Sequence, residues 1–340
     1  MSEPERSKIR IAVDGMGGDY APNNIVAGAL DALRETNNRF EVILVGPEQV
    51  LKESLANRTS SGLHYTIVNA TEIIDMHDSP TDALRKKRDS SITVGITLQN
   101  QGKADAFISA GNTGAVMSAS TLILGRVAGV GRPTIGAFLP AEKGVCLLVD
   151  AGANVDCKPQ HLLEFGIMGS IYCQEMLGVE RPTVGLLNVG EEDTKGNEIV
   201  KEAFKLLKES KLNFIGNVEG KDILQGKALV VVADGFVGNI LLKFGESIPR
   251  FLKSSILQYA AKNSFRKLTA LAMRSSMRQV FKSMDYEEHG GIPVLGVKGI
   301  SIVGHGKSTP KAIKNMILKA EEMVKKNINQ RIQESLGKAS

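Results

Sequence analysis

One pattern recurs along this chain and limits its fold more than any other: a short apolar run, then Asp or Asn with glycine, then a helix. It occurs at 9–14 before DGMGGD (14–19), at 106–110 before GNTG (111–114), and at 145–150 before AGAN (151–154). It returns at 184–189 before a charged turn EEDTKG (191–196), at 228–233 before DGFVGN (234–239), and at 299–303 before GHGKSTP (304–310). Runs of strand length alternating with helical periodicity are expected to build a largely parallel α/β sheet with right-handed crossovers. Such sheets present chemistry at the carboxyl ends of their strands, where the glycine turns fall.

The remaining elements follow from local signals. Strands are expected at 40–46 and 64–69, and helices at 22–34, 47–56, 79–88, 159–177 and 310–336. Ser79 stands as N-cap with Pro80 at the first helical position, and the basic knot Arg85-Lys86-Lys87-Arg88 suits the helix end. Runs 134–139 and 145–150 flank Glu142-Lys143-Gly144, a hairpin turn that places one antiparallel pair in the sheet. After the charged turn, Ile199, Ala203, Leu206 and Leu207 mark the inner face of a helix. The 340 residues are expected to form a single large α/β domain, 1–340.

Composition narrows the class. Three cysteines, Cys146, Cys157 and Cys173, show no CxxC spacing, so a reducing cytoplasm without disulfides or structural zinc is expected. The polar start lacks the apolar core of a signal peptide, and no run is long and apolar enough to span a bilayer.

Nucleotide motifs fail. Gly306-Lys307-Ser308 ends like a P-loop, but position 301 is Ser; Gly111-Asn112-Thr113-Gly114 lacks the GxGxxG spacing. What remains are loops suited to a small anion: Asn112 and Thr113 at a helix start, His305 and Lys307 before a helix capped by Thr309, and Lys195 in the charged turn. Cys157 beside Lys158 at a helix start is a weaker nucleophile candidate, since incidental buried cysteines are commoner. His305 between two glycines is a candidate acid or base. Neither Glu191-Glu192 nor His64, His77, His161 and His289 shows metal-ligand spacing, so no metal is expected.

The strongest compositional anomaly is 247–284, which carries Arg250, Lys253, Lys262, Arg266, Lys267, Arg274, Arg278 and Lys282 and no Asp or Glu. Apolar residues at helical spacing, Leu252-Ile256-Tyr259 and Phe265-Leu268-Leu271, make this a protruding pair of basic amphipathic helices meeting near Lys262-Asn263. Such a pair suits an anionic membrane surface or an acidic protein; nucleic acid is disfavoured because no stacking platform accompanies the charge.

The longer motifs are specific together. IAVDGMGGDYAP (11–22), SAGNTGA (109–115), DAGANVDCKP (150–159), NVGEEDTKGNE (188–198), FIGNVEG (214–220) and DGFVGN (234–239) resemble the bacterial phosphate acyltransferase family, which makes acyl phosphate from acyl-acyl carrier protein for phospholipid synthesis. The resemblance runs over about residues 9–310. It implies a Rossmann-like three-layer α/β/α fold similar to phosphotransacetylase and isocitrate dehydrogenase-like proteins, a homodimer, and peripheral membrane association. It also implies acyl carrier protein as partner and a membrane glycerol-3-phosphate acyltransferase downstream, with no cofactor. On that chemistry, phosphate attacks the thioester carbonyl. Lys195 is expected to hold phosphate, with Asn112, Thr113, Asn154 and Asn239 as neutral donors. Amides of Gly111 to Gly114 are expected to stabilise the oxyanion, and His305 to protonate the leaving thiolate. Asp14, Asp150, Asp234 and Lys307 belong to the same strand ends. A coenzyme A phosphotransacylase and a non-catalytic lipid-binding tether are the alternatives.

Overall fold

The computed structural model describes residues 8–283 and 290–337. These fall into two compact units: unit 1 holds 8–135, 171–180 and 290–337, and unit 2 holds 136–170 and 181–283. The chain begins β1 (Arg10–Asp14), α1 (Asn23–Glu35), β2 (Glu41–Gly46), α2 (Glu48–Ala56) and β3 (Tyr65–Asn69). It continues through α3 (Pro80–Lys86), α4 (Ser91–Asn100), β4 (Ala106–Ser109) and α5 (Thr113–Ala119), which passes into a π-helical turn. Next come β5 (Thr134–Ala141), β6 (Gly144–Val149), α6 (Pro159–Leu177), β7 (Thr183–Leu187), α7 (Glu198–Glu209), β8 (Asn213–Val218), α8 (Gly220–Gln225) and β9 (Val230–Val232). Three successive helices, α9 (Gly235–Ala260), α10 (Ser264–Ala272) and α11 (Arg274–Ser283), precede β10 (Ile292–Leu295), β11 (Ile300–Val303), α12 (Pro310–Lys325) and α13 (Ile328–Gly337).

In unit 1 the strands lie in the order β3-β2-β1-β4-β11-β10. All pair in parallel except β10, which runs antiparallel to β11. Strands covered on both faces read as unbroken apolar runs. Accordingly Ile11, Ala12 and Val13 of β1 and all of β4 are buried. On α1, Ile25, Val26, Ala29, Leu30 and Leu33 recur every three or four residues and bury one stripe. Each of the Ile, Val and Leu side chains, fully buried, contributes about 1.5–3 kcal/mol.

Unit 2 orders its strands β5-β6-β9-β7-β8. The expected hairpin is present, β5 antiparallel to β6, and the other pairs are parallel. Leu139, Cys146, Leu148, Val218, Ile223 and Val231 form its core. The α/β fold with a mostly parallel arrangement and an antiparallel hairpin is therefore the one the strand-turn-helix pattern implied.

Three local readings change. On α7 the buried residues are Ala203, Phe204 and Leu207, while Ile199 is exposed. The C-terminal helix is two helices, because Asn327 adopts a left-handed φ of 50° between α12 and α13. Helix α4, SITVGITLQN, had no helical signature: its β-branched residues favour strand. The Ser90 side chain accepts from the Thr93 amide to start it, and burial of Ile92 and Ile96 holds it in place.

Candidate active site

In unit 1 the carboxyl ends of three adjacent parallel strands, β1, β4 and β11, are tied together. The register pairs Val13 with Ile108, so Asp14 stands beside Ser109. Asp14 is 1% exposed, and its Oδ2 accepts the Ser109 hydroxyl at 2.6 Å while Oδ1 accepts the Met16 amide at 3.0 Å. Burial pushes the Asp14 carboxyl up, and hydrogen bonds from Ser109, Ser91, Met16 and Gly17 partly offset this. Ser109 Oγ also accepts the Gly111 amide at 2.9 Å, and the Ser109 carbonyl accepts the Gly304 amide at 2.8 Å. Gly17 closes the arrangement: a methyl there would lie 2.6 Å from Asp14 Oδ2 and 2.8 Å from the Gly111 nitrogen. The Asp19 amide donates to the Gly306 carbonyl at 2.7 Å, which brings the β11 loop into the same cluster.

Asn112, buried, caps α5 by accepting the Ala115 amide at 3.0 Å. Its Nδ2 donates to the carbonyls of Asp75 at 3.1 Å, Met76 at 3.3 Å and Asp78 at 3.1 Å. The side chain is thus engaged inward at both ends, and the Gly111 amide is taken by Ser109. The first-turn amides of Thr113 and Gly114 have no acceptor within α5, as the geometry of a helix start requires. His305 is exposed, and its Nδ1 accepts the Lys307 amide at 3.1 Å, so the neutral ring carries its proton on Nε2. Lys307 is exposed, and Thr309 caps α12 by accepting the Ala312 amide at 3.3 Å, as its sequence position implied.

Unit 2 has its own cluster. Asp150 is fully buried; Oδ1 accepts the Gly152 and Ala153 amides at 3.3 and 3.1 Å, and Oδ2 accepts the Asn154 amide and Nδ2 at 2.6 and 2.9 Å. Asn154 accordingly shapes the 150–154 loop. Its carbonyl accepts the Gly235 amide at 2.7 Å at the start of α9. Asp234 caps α9 through the Val237 amide at 2.9 Å. At Gly238 a methyl would lie 1.8 Å from the Asp150 carbonyl oxygen, so only glycine allows this approach of helix and loop. Asn239 is half-buried against Gly152. Lys195 is exposed in the β7–α7 turn, its stem over Gly190, and its carbonyl accepts the Asn188 side chain at 3.1 Å. Lys195 and Asn112 therefore belong to different units.

In the sequence Ser109 is one residue of the SAGNTGA run. Its role depends on which strand lies next to β1, so no local signal marks it. Cys157 is buried and donates its thiol to the Asn154 carbonyl at 3.4 Å, a structural contact. Among the described residues no group of three or more His, Cys, Asp or Glu could hold a metal ion. Met284 and His289 lie outside the described residues.

The basic stretch is helical, with its break at 261–263 as expected and a further helix, α11, beyond it. Among the described residues, α9 buries none beyond Gly238 and α10 buries none. Arg250, Lys253, Lys262, Lys267 and Arg274 are exposed, and Arg266 stacks on Tyr259 at 4.9 Å. Phe244, Phe251, Leu257, Phe265, Leu268 and Leu271 are exposed on the same helices. No helix among the described residues is long and apolar enough to cross a membrane.

Residues 9–331 match the family described as fatty acid synthesis protein. A phosphate acyltransferase of Chlorobaculum parvum is 49% identical over 333 residues, covering 95% of this chain and 98% of that protein. One of Desulforudis audaxviator is 48% identical over 320 residues, covering 94% of each. Among solved structures, a phosphotransacetylase from Streptococcus pyogenes superposes with a TM-score of 0.63 at 17% identity, covering 93% of this chain and 94% of that one. A branched-chain phosphotransacylase from Enterococcus faecalis V583 gives 0.58 at 14%, covering 93% and 99%. These two share the fold.

Proposed function

Because this chain belongs to the phosphate acyltransferase family, we infer that it transfers a long-chain acyl group from acyl carrier protein to inorganic phosphate, for phospholipid synthesis. A phosphate oxygen attacks the thioester carbonyl carbon to give a tetrahedral oxyanion. The C–S bond then breaks, its electron pair stays on sulfur, and the sulfur takes a proton. Acyl phosphate and free carrier thiol result. Phosphate is already anionic near neutral pH, so catalysis rests on desolvating, orienting and stabilising charge.

In unit 1 the first-turn amides of Thr113 and Gly114 and the ammonium of Lys307 offer an anion its donors, and His305, as imidazolium, is assigned to give the leaving thiolate its proton. Asp14 and Ser109 hold the Gly111 turn that aims those amides. In unit 2 Lys195 is assigned to hold phosphate, with Asn239 as a neutral donor, while Asp150, Asn154 and Asp234 fix the loop and helix start beside Asn239. The observation that carries the reading is the knot of Asp14, Ser109 and Gly111 joining parallel strand ends. It keeps an ionisable group buried, an arrangement that costs stability and is retained at sites of function.

The basic helices suit both the acidic carrier and an anionic bilayer, and this supports a cytoplasmic enzyme that docks on the membrane surface. The protein acts as a homodimer, and its reactive product passes to a membrane glycerol-3-phosphate acyltransferase. Supplying acyl carrier protein thioester, acyl-coenzyme A or acetyl-coenzyme A with phosphate, and following thiol release, tests the reading. Preference for acetyl-coenzyme A would favour phosphotransacetylation; no thiol release with any donor would leave a lipid-binding tether.

A further inference from the structure

Residues 70–79 join β3 to α3, and most of their side-chain ties run to Lys87 and Asp89 just beyond α3. The Thr71 amide and hydroxyl donate to Asp89, the Asp89 amide donates to Glu72, and Lys87 Nζ bonds the Ile73 carbonyl at 2.8 Å and Asp78 at 2.5 Å. Asp75 and Asp78 close a turn on each other, the Asp75 amide donating to Asp78 Oδ2 at 2.8 Å. Among the described residues, Asn112 is the one side chain from outside 71–91 that bonds the 75–78 turn, and it bonds three of its carbonyls. The turn is laid against the strand-end cluster. Met76 Cε lies 3.5 Å from where a Gly306 methyl would stand, and the Pro80 ring lies 2.6 Å from the corresponding point on Gly114. Met76 is 44% exposed, an apolar group beside Gly306, which His305 and Lys307 flank in sequence.

We propose that Asn112 is a positioning residue: it latches the 75–78 turn so that Met76 presents an apolar contact for the acyl part of the donor beside His305-Gly306. The chemistry follows from the two ends of one amide. Oδ1 fixes the first turn of α5 and Nδ2 fixes the turn that carries Met76. A single side chain therefore sets the spacing between the start of α5 and the apolar wall. With two hydrogens shared by three carbonyls, Nδ2 has none to spare for phosphate. The Met76 contact rests on the acyl-transfer reading; the latch does not.

The test uses the full chain carrying Asn112→Ser, which keeps an N-cap oxygen but loses both donors. Hydrogen exchange of the 74–79 amides is expected to quicken about five- to tenfold, as loss of roughly one net hydrogen bond implies. KM for the long-chain acyl donor is expected to rise several-fold with KM for phosphate unchanged. Asn112→Asp, which turns an acceptor toward the three carbonyls, should quicken exchange as well and covers a failure of the serine variant to fold. Met76→Ala should raise the acyl-donor KM without quickening exchange. Unchanged exchange in the Asn112 variants overturns the latch. A rise in KM for phosphate alone overturns the positioning role, since Asn112 would then touch phosphate itself. If the wild type transfers no acyl group to phosphate, the acyl-transfer reading and the Met76 contact fail together, and the exchange arm still decides the latch.

Discussion

Lys319→Met isolates a cost that unit 1 carries in its core. Lys319, on α12, is 9% exposed; its Nζ donates to the Gly291 carbonyl at 3.2 Å and lies 5.7 Å from the Tyr172 ring centre. Burial is the main cause that brings its ammonium down from 10.5 to about 7, against the pull of Glu322 and Cys173 toward the charged form. At about 1.4 kcal/mol per tenfold of proton affinity, that gap is worth about 5 kcal/mol. The sign follows from proton counting. Between about pH 7 and 10.5 the unfolded chain binds a proton the native chain lacks, so stability rises with pH; below 7 the full cost is present. The cost is about 4 kcal/mol at pH 7.5 and about 1.5 kcal/mol at pH 9.5. Methionine removes it but leaves the Gly291 carbonyl short of a donor, a loss of about 1–3 kcal/mol. The variant should therefore be more stable by about 2 kcal/mol at pH 7.5 and about equal to the wild type at pH 9.5. Urea denaturation at the two pH values reads the difference. Parallel pH dependence in the two proteins would refute the reasoning.

Two further perturbations bear on the site and the surface. Ser109→Ala deprives buried Asp14 of its hydroxyl donor and should cost about 1–3 kcal/mol. It raises the carboxyl further, so the variant should lose more stability than the wild type as pH rises through the acid range above 3.8, measured by thermal unfolding. Reversing Lys262, Arg266 and Lys267 to Glu should weaken sedimentation with anionic liposomes by tenfold or more, at about 1 kcal/mol per removed cation. Unchanged sedimentation together with an unchanged KM for the carrier would remove both roles from the basic helices.

What the sequence made legible is what short-range physics decides. Six strands with a glycine turn, β1, β4, β6, β7, β9 and β11, announced themselves, because a buried strand is an unbroken apolar run and a βα turn needs residues that tolerate tight backbone; β8 and β10, with weaker or shorter apolar runs, did not. The caps at Asn112 and Thr309 were readable for the same reason, as was the span of α6 after Pro159. Helix α4 was hidden because its β-branched residues misreport the local preference, which burial of Ile92 and Ile96 overrides. Ser109 and the bonds from Asn112 to the 75–78 turn were hidden because their partners lie 34 residues away or more in sequence. The side chains of Asn112 and Asn154, expected as donors to substrate, turn out to hold protein carbonyls and the Asp150 carboxylate. Composition gives no sign of that choice.

The central claim is that inorganic phosphate accepts the acyl group. The direct measurement is thiol release from long-chain acyl carrier protein with and without phosphate, with acyl phosphate trapped as hydroxamate, for wild type and Lys195→Ala. Phosphate-dependent release with equal acyl phosphate is expected, and turnover lowered by about a hundredfold or more in the variant, as loss of a positioned charge implies. Free fatty acid released at the same rate without phosphate would contradict the claim, and near-normal turnover of the variant would remove Lys195 from the mechanism.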